Sequence, residues 1–417
     1  MPDPLIIDHS SLRNLGQRAR GDKVIWAIVV ILGLVSLLAV YSSTGLLAYK
    51  MNRGNTEVYL FKQVVFISLG ITVIYFMHRV NYTFYSRLAV ILFLLSIPLL
   101  LYTLFYGVTL NEGSRWIRVP VINLTFQTSD LAKLALFMYV SRQLSRRQYL
   151  VKDFKKGFLP VIIPVGVICL LIAPANLSTA LLLGASCLML MFIGRVRLKY
   201  LLVTIGIALL PVIMLITLAT AYYDKQEQKC EELPAVLQVS RIPTWIKRVQ
   251  NFMYASKDFD KDDNYQINQA KIAIAKGGWL GAGPGNSESR NFLPHPYSDF
   301  IYAIIIEEYG LIGGACLMFI YILFLFRSIR IFRKCPYAFG AFLALGLSFT
   351  LVIQALTNMA VNVNLFPVTG VTLPLVSMGG SSFLFTCVSI GIILSVARNV
   401  EQKEGVNNEV VNNEVSQ

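Results

Sequence analysis

Ten apolar runs divide this chain, at about residues 24–48, 59–78, 86–107, 128–144, 158–174, 176–194, 198–222, 299–326, 338–363 and 377–397. A bilayer-spanning helix needs about 20 mostly apolar residues, so the pattern predicts an all-α polytopic membrane protein with ten transmembrane helices. Lys, Arg, Asp and Glu make up only 14% of the 417 residues, far below the ~25% of an ordinary soluble chain. A soluble enzyme with one core, a disordered chain and a disulfide-stapled secreted domain are all excluded by this composition. Six cysteines form no Cys-x-x-Cys pair, and His9, His78 and His295 lie far apart, so no zinc site is legible.

The formal charge of +14 invites a nucleic-acid reading. The basic residues sit between the apolar runs and form no continuous stripe, which fits loop charge instead. With ten spans and the N-terminus inside, the inner loops hold Arg142, Arg146, Arg147, Lys152, Lys155 and Lys156. They also hold Arg195, Arg197 and Lys199, then Arg327, Arg330, Arg333 and Lys334. The short outer loops hold only Lys50, Arg53, Arg115 and Arg118. Nine spans would invert two basic clusters, so the positive-inside rule favours ten. The weakest runs are 128–144, which contains Lys133, and the fifth–sixth break, where Pro174-Ala175-Asn176 must form a turn.

The expected layout is a cytoplasmic tail (1–23), helices one to seven (24–222), a large outer loop (223–298), helices eight to ten (299–397) and a cytoplasmic tail (398–417), the last read as disordered. Within the loop, 241–256 alternates basic and apolar residues (Arg241, Trp245, Lys247, Arg248, Phe252, Tyr254), as in an interfacial helix.

Four constellations carry chemistry, all on or near the outer face. Asn111-Glu112-Gly113-Ser114-Arg115-Trp116-Ile117-Arg118 suits a lipid phosphate, because guanidinium forks bind phosphate oxygens and indoles sit at headgroup depth. Incidental loop charge beside a belt tryptophan reads the same way. Gln127-Thr128-Ser129-Asp130-Leu131-Ala132-Lys133 starts the fourth helix, with Lys133 entering the membrane one turn after Asp130. An intramembrane ammonium is a functional candidate, against a purely structural ion pair. The third runs from Gly277-Gly278-Trp279-Leu280-Gly281-Ala282-Gly283-Pro284-Gly285 to Asp299-Phe300, with Glu307 and Glu308 further into the helix. Its glycines let backbone approach a ligand, and no phosphate-loop Lys follows them. The fourth, Pro367 to Ser382 with Ser377 and Ser381, predicts a re-entrant or broken segment. Gln354, Asn358 and Asn362 form a polar ridge on the ninth helix before it.

These residues resemble the SEDS family (shape, elongation, division and sporulation), the group holding FtsW, RodA and SpoVE. The resemblance spans about residues 20–400. It rests on Arg115-Trp116-Ile117, Gln127-x-Ser129-x-x-x-Lys133, Leu293-Pro294, Asp299-Phe300, Glu307-Glu308 and the Pro-x-Thr-Gly…Leu-Pro…Ser-x-Gly-Gly-Ser-Ser ending. The wording Leu293-Pro294-His295-Pro296-Tyr297 is nearest the FtsW branch of Bacteroidetes-type bacteria. Departures are Asp130 for a usual Glu, Met378 for an aromatic, His295-Pro296 for Glu and a small residue, and Ala175-Asn176-Leu177-Ser178-Thr179 for Pro-Asp-Leu-Gly-Thr.

The resemblance implies a peptidoglycan glycosyltransferase polymerising lipid II, working with a class B penicillin-binding transpeptidase and other division membrane proteins, in the inner membrane with its active site on the outer face. It implies Asp299 as the essential catalytic acidic residue, read here as the base that deprotonates the acceptor hydroxyl, and Arg115, Trp116 and Lys133 as functional. Gln127, Ser129, Glu308, Ser377 and Ser381 join them as expected substrate-binding groups. A divalent cation, Mg or Mn, is an expectation from pyrophosphate chemistry alone, since no cation cage is legible. The alternatives are a RodA-like elongation polymerase, a lipid II flippase using Lys133 and Glu308 as its path, and a scaffold that docks the transpeptidase.

Overall fold

The structure is a computed structural model that describes residues 21–45, 47, 49, 55–110, 113–118, 125–224, 229–230, 242–253, 262–293 and 296–415. Helices account for most of it. They are α1 (Lys23–Ser43), α2 (Glu57–Arg79), α3 (Tyr82–Tyr106), α4 (Thr128–Arg146), α5 (Leu159–Ile172), α6 (Leu177–Ile193) and α7 (Leu198–Ala221), then α8 (Ile242–Met253) and α9 (Asp262–Gly277), then α10 (Ile301–Lys334), α11 (Ala338–Asn362) and α12 (Ser381–Val415). Each of the ten apolar runs is the body of one helix. Among the described residues eight helices are long and apolar enough to cross a bilayer; α6 is apolar but shorter, with 17 residues.

The remaining one, α4, is the weak run at 128–144. It fails on hydropathy because it sits inside the bundle, with twelve of its 19 residues buried. A helix walled in by protein needs no apolar lipid face, and its polar groups meet partners instead. Its neighbour α11 is likewise interior, whereas α7 buries only Leu201 and Ala219. Polar residues start several helices by accepting orphan backbone N–H groups. Asp22 caps α1, Asn81 caps α3, and Asn176 caps α6 by accepting from Thr179 at 3.3 Å, which forms the expected turn after Pro174.

Contacts sort the helix ends onto two faces. On one, here the tail face, Arg327 meets Asp22 at 2.6 Å, Gly21 N donates to Glu401 at 2.8 Å, and Arg398 donates to the Arg79 carbonyl at 3.0 Å. On the opposite face the ends of α3, α11 and α1 meet the starts of α4 and α10. The basic clusters at 142–156, 195–199 and 327–334 fall on the tail face.

Three elements depart from the sequence reading. The stretch around Arg115 and Trp116, read as loop, is a small antiparallel sheet of β1 (Val108–Leu110), β2 (Gly113–Arg118) and β3 (Thr125–Gln127), in which Trp116 pairs with both Val108 and Gln127. Two further short strands, β4 (Tyr223–Asp224) and β5 (Lys229–Cys230), pair after α7. The C-terminal segment read as disordered continues α12 to Val415. No proline interrupts it, and extending an anchored helix avoids the cost of nucleating one. The amphipathic stretch near 241–256 is α8, whose Gln250 donates to the Ala219 carbonyl at 3.0 Å and so covers an orphan carbonyl at the end of α7. Arg241 and Tyr254 lie outside the described residues.

The Gly-rich loop also has a different task from the one its composition suggests. Helix α10 is broken at Gly310, whose φ of 70° and ψ of −177° are non-helical. The loop fills that break. Ala282 N donates to the Glu307 carbonyl at 2.9 Å, Gly283 N to the Glu308 carbonyl at 3.0 Å, and Leu311 N to the Gly278 carbonyl at 2.9 Å. The glycines admit neighbouring backbone, where the sequence reading expected a ligand.

Candidate functional site

Asp299 lies in the turn that leads into α10. Its backbone is fixed from below by the ridge on α11. Asn358 and Asn362 both donate to the Asp299 carbonyl, at 2.9 and 3.0 Å, and Asn362 Oδ1 accepts from Ala303 N at 3.1 Å. Ser377 Oγ donates to the Ser298 carbonyl at 2.7 Å, and Met378 N to the Tyr297 carbonyl at 2.9 Å. The carboxylate accepts from Ser298 Oγ at 2.9 Å through Oδ1, while Oδ2 points toward Gly370, where a Cβ would lie 3.7 Å from it. Asp299 is half-buried. Burial, followed by the charges of Tyr59 and Asp299, raises the Tyr297 phenol above its ordinary range, so it stays neutral beside Asp299.

The irregular segment before α12 is tolerated because protein side chains serve several of its carbonyls. Gln354 donates to Thr372 at 3.0 Å, Asn358 to Val371 at 2.7 Å, Tyr321 to Pro374 at 2.5 Å and Ser36 to Val376 at 2.8 Å. Along the ridge, Gln354 and Asn358 donate to this loop, while Asn358 and Asn362 hold the turn at Asp299.

A second cluster forms where β3 enters α4. Lys133 Nζ lies 2.8 Å from Asp130 Oδ1, and Ser382 Oγ lies 2.5 Å from Asp130 Oδ2 and 3.2 Å from Gln127 Oε1. Gln127 Nε2 donates to Ser129 Oγ at 2.9 Å, and Gln127 N donates to Ser381 Oγ at 3.1 Å. Lys133 lines two adjoining cavities. One is walled by Asp130, Thr350, Gln354, Ser382 and Thr386; the other reaches Thr179, Ser186 and Val371. Gln354 lines both and also holds Thr372, so α11 carries the path from Lys133 to the loop that faces Asp299.

The structure thus brings Lys133, Gln127, Ser129 and Ser381 together, and Asp299 with Ser377, joined through α11. Trp116 is half-buried and reaches the first group through its pairing with Gln127. The Arg115 side chain, Pro294 and His295 lie outside the described residues. Glu308 stands apart. It is buried, accepts from Ser42 Oγ, and lies near Arg290, which donates to the Ser42 carbonyl at 3.0 Å. Glu307 accepts from Ser287 and Ser289 in the same way. Both carboxylates fasten the Gly-rich loop. Ser382 and Ser42 were not singled out in the sequence; Ser382 was marked only by the paired serines at a helix start, and Ser42 by nothing.

Among the described residues no three His, Cys, Asp or Glu side chains converge, and Asp130 is already committed to Lys133. These groups do not make a cation cage.

A bundle of long apolar helices around a polar, ion-paired interior defines a multi-pass membrane protein. The chain belongs to the FtsW/RodA/SpoVE family of cell cycle proteins, whose model matches residues 22–402. It is 33% identical over 384 residues to a probable peptidoglycan glycosyltransferase FtsW of Geobacter sp. (strain M18), covering 90% of this chain and 96% of that one. The stage V sporulation protein E of Bacillus subtilis is 29% identical, with 90% and 97% covered. Among solved structures, a chain of a peptidoglycan synthase complex superposes with a TM-score of 0.70 at 22% identity, covering 92% of this chain and 99% of that one. RodA of Thermus thermophilus superposes at 0.64 and 20%, covering 91% and 97%. At these identities the two structures speak to the fold alone.

Proposed function

We propose that this chain is a peptidoglycan glycosyltransferase that polymerises lipid II, acting in an FtsW-like division role. The observation that carries the reading is the half-buried Asp299, whose backbone is pinned by Asn358 and Asn362 of α11, the helix whose Gln354 lines the cavities that hold Lys133. Asp299 removes the proton from the acceptor sugar hydroxyl. That oxygen attacks the donor anomeric carbon, the bond from this carbon to the pyrophosphate oxygen breaks, and undecaprenyl pyrophosphate leaves as an anion with inversion. A leaving anion needs no proton, so no second carboxylic acid is required, unlike in glycosidases.

Lys133, with Arg115, receives the pyrophosphate. Asp130 orients the ammonium, and Ser382 in turn orients Asp130, which preorganises positive charge where negative charge develops. By the positive-inside rule the tail face, with its basic clusters, lies in the cytoplasm and Asp299 outside. A penicillin-binding transpeptidase is the proposed partner that crosslinks the product.

Lipid II supplied to the purified protein should yield glycan strands. Transbilayer movement without polymer would establish a transporter instead. Lys133→Met should cut polymerisation by about 10²-fold while the protein still elutes as a folded monodisperse species, because Ser382 continues to serve Asp130. Asn362→Leu should lower turnover by about tenfold through loosened placement of Asp299. Steady-state kinetics should show the loss mainly in kcat, with KM little changed; a change confined to KM would contradict a positioning role.

A further inference from the structure

The tail face carries a second organised feature that glycan chemistry does not use. Between Arg142 and Lys199 the chain has nine Lys and Arg but a single acid, Asp153. The fold gathers their carriers. Leu144 near the end of α4 would lie 3.2 Å from a Cβ at Gly194, and the rings of Phe154 and Phe158 meet Tyr200 of α7 at 5.2 and 5.3 Å. The turn between α4 and α5 is therefore packed against the α6–α7 junction.

That turn is built rather than loose. Asp153 Oδ1 accepts from Lys155 N at 2.9 Å and Lys156 N at 3.1 Å. Arg147 Nη1 donates to the Lys156 carbonyl at 2.7 Å. Gly157 is pressed so closely on the preceding strand of chain that a Cβ would lie 2.0 Å from the Leu150 carbonyl oxygen. On this frame Lys152, Lys155, Lys156, Arg195, Arg197 and Lys199 are all exposed, and among the described residues none closes a salt bridge. The one acid is occupied in holding the turn: the backbone N–H groups of Lys156 and Lys155 that donate to it, and after them the charges of Lys156 and Arg197, keep its carboxyl below the usual carboxylate range.

Apolar surface continues directly from these cations. Leu198 and Leu202 of α7 are 56% and 57% exposed, and Phe154 is 45% exposed. We propose that this platform is a binding site for anionic phospholipid, with the headgroup phosphate between the 152–156 turn and the 195–199 junction and the acyl chains along α7. Charge alone would suit an acidic peptide equally. The exposed leucines next to the cations, with an aromatic ring at interface depth, match an amphiphile and would gain nothing from a soluble partner.

The test uses the full chain in phosphatidylcholine nanodiscs titrated with phosphatidylglycerol or cardiolipin, with bound lipid read by native mass spectrometry. Lys155→Gln/Lys156→Gln should weaken anionic lipid binding about tenfold. Arg330→Gln/Arg333→Gln, which removes the same charge elsewhere on the tail face, should change it less than twofold. Equal losses in the two variants would mean diffuse loop charge and overturn the site. Asp153→Ala separates the cases again, since it raises net positive charge while unfastening the turn. Weaker binding supports the built site, and tighter binding overturns it. Wild-type binding no stronger than to phosphatidylcholine also overturns it and leaves the patch to an acidic protein. The tighter of the two anionic lipids identifies whether the headgroup brings one phosphate or two. None of these outcomes depends on the glycosyltransferase reading, because polymerisation is not the readout.

Discussion

Asp299→Asn is expected to reduce glycan polymerisation by purified protein at least ~10³-fold, the range in which removal of a general base falls. The substitution keeps the size of the side chain and can still accept from Ser298 Oγ, so the turn should hold. The other bonds that fix it are accepted by backbone carbonyls of the turn, which the substitution leaves unchanged. Asn358 and Asn362 bind the Asp299 carbonyl, and Ser377 and Met378 bind the two residues before it. A folded but inactive protein is therefore the expected result, with thermal stability within about 1 kcal/mol of wild type, as for a polar surface change. Asp299→Glu tests position rather than charge. Its carboxylate is displaced by one methylene, and a displacement of about 1 Å at the reacting group can cost about 10²-fold. Near-normal glycan synthesis by the Asn variant would remove Asp299 from the chemistry and with it the proposed mechanism.

How much of this was legible without coordinates depends on the range of the interaction involved. The helices were visible because a bilayer imposes a length on each one separately, so no tertiary information was needed. Even α4 could be placed, through the basic clusters that must alternate around it. The Asp130–Lys133 pair follows from helical spacing alone. Local reasoning failed where partners come from distant sequence. Gln354, Asn358 and Asn362 were visible as a ridge, but what they donate to lies on the 370s loop and the turn at Asp299. Ser382 reaches Asp130 across 252 residues of sequence. The sheet around Trp116 was invisible because strands of three and six residues carry too few positions to show an alternation. The break in α10 lay inside an unbroken apolar run, and only its glycine marked it.

That break is where the largest loss of stability is expected. Gly310 has φ +70°, ψ −177°, a region open only to glycine, and a Cβ there would lie 2.2 Å from the Trp279 carbonyl oxygen. The contact is reciprocal. A Cβ at Gly281 would lie 2.2 Å from the Glu308 carbonyl oxygen, and one at Gly277 would lie 2.1 Å from that of Ile306. Backbone meets backbone on both sides, so no side-chain rotation can relieve a clash. Gly310→Ala should therefore incur both backbone strain, ~1–3 kcal/mol, and overpacking of a further ~1–3 kcal/mol. Against a typical total of ~5–15 kcal/mol this is a large fraction, and most of the protein should fail to survive detergent extraction as a monodisperse species. Gly285→Ala is the control, because Gly285 also has positive φ, +79°, but nothing within 4 Å of its Cβ position. It should lose only the strain component and remain extractable, with a thermal midpoint a few degrees lower. Equal destabilisation by the two substitutions would show that φ alone matters and that the loop does not interlock with the helix. If Gly310→Ala protein can be recovered in small yield, its polymerisation should be lost as well. The piece of α10 above the break is the carrier of Asp299, and the interlock with the Gly-rich loop is what fixes that piece against the rest of the bundle.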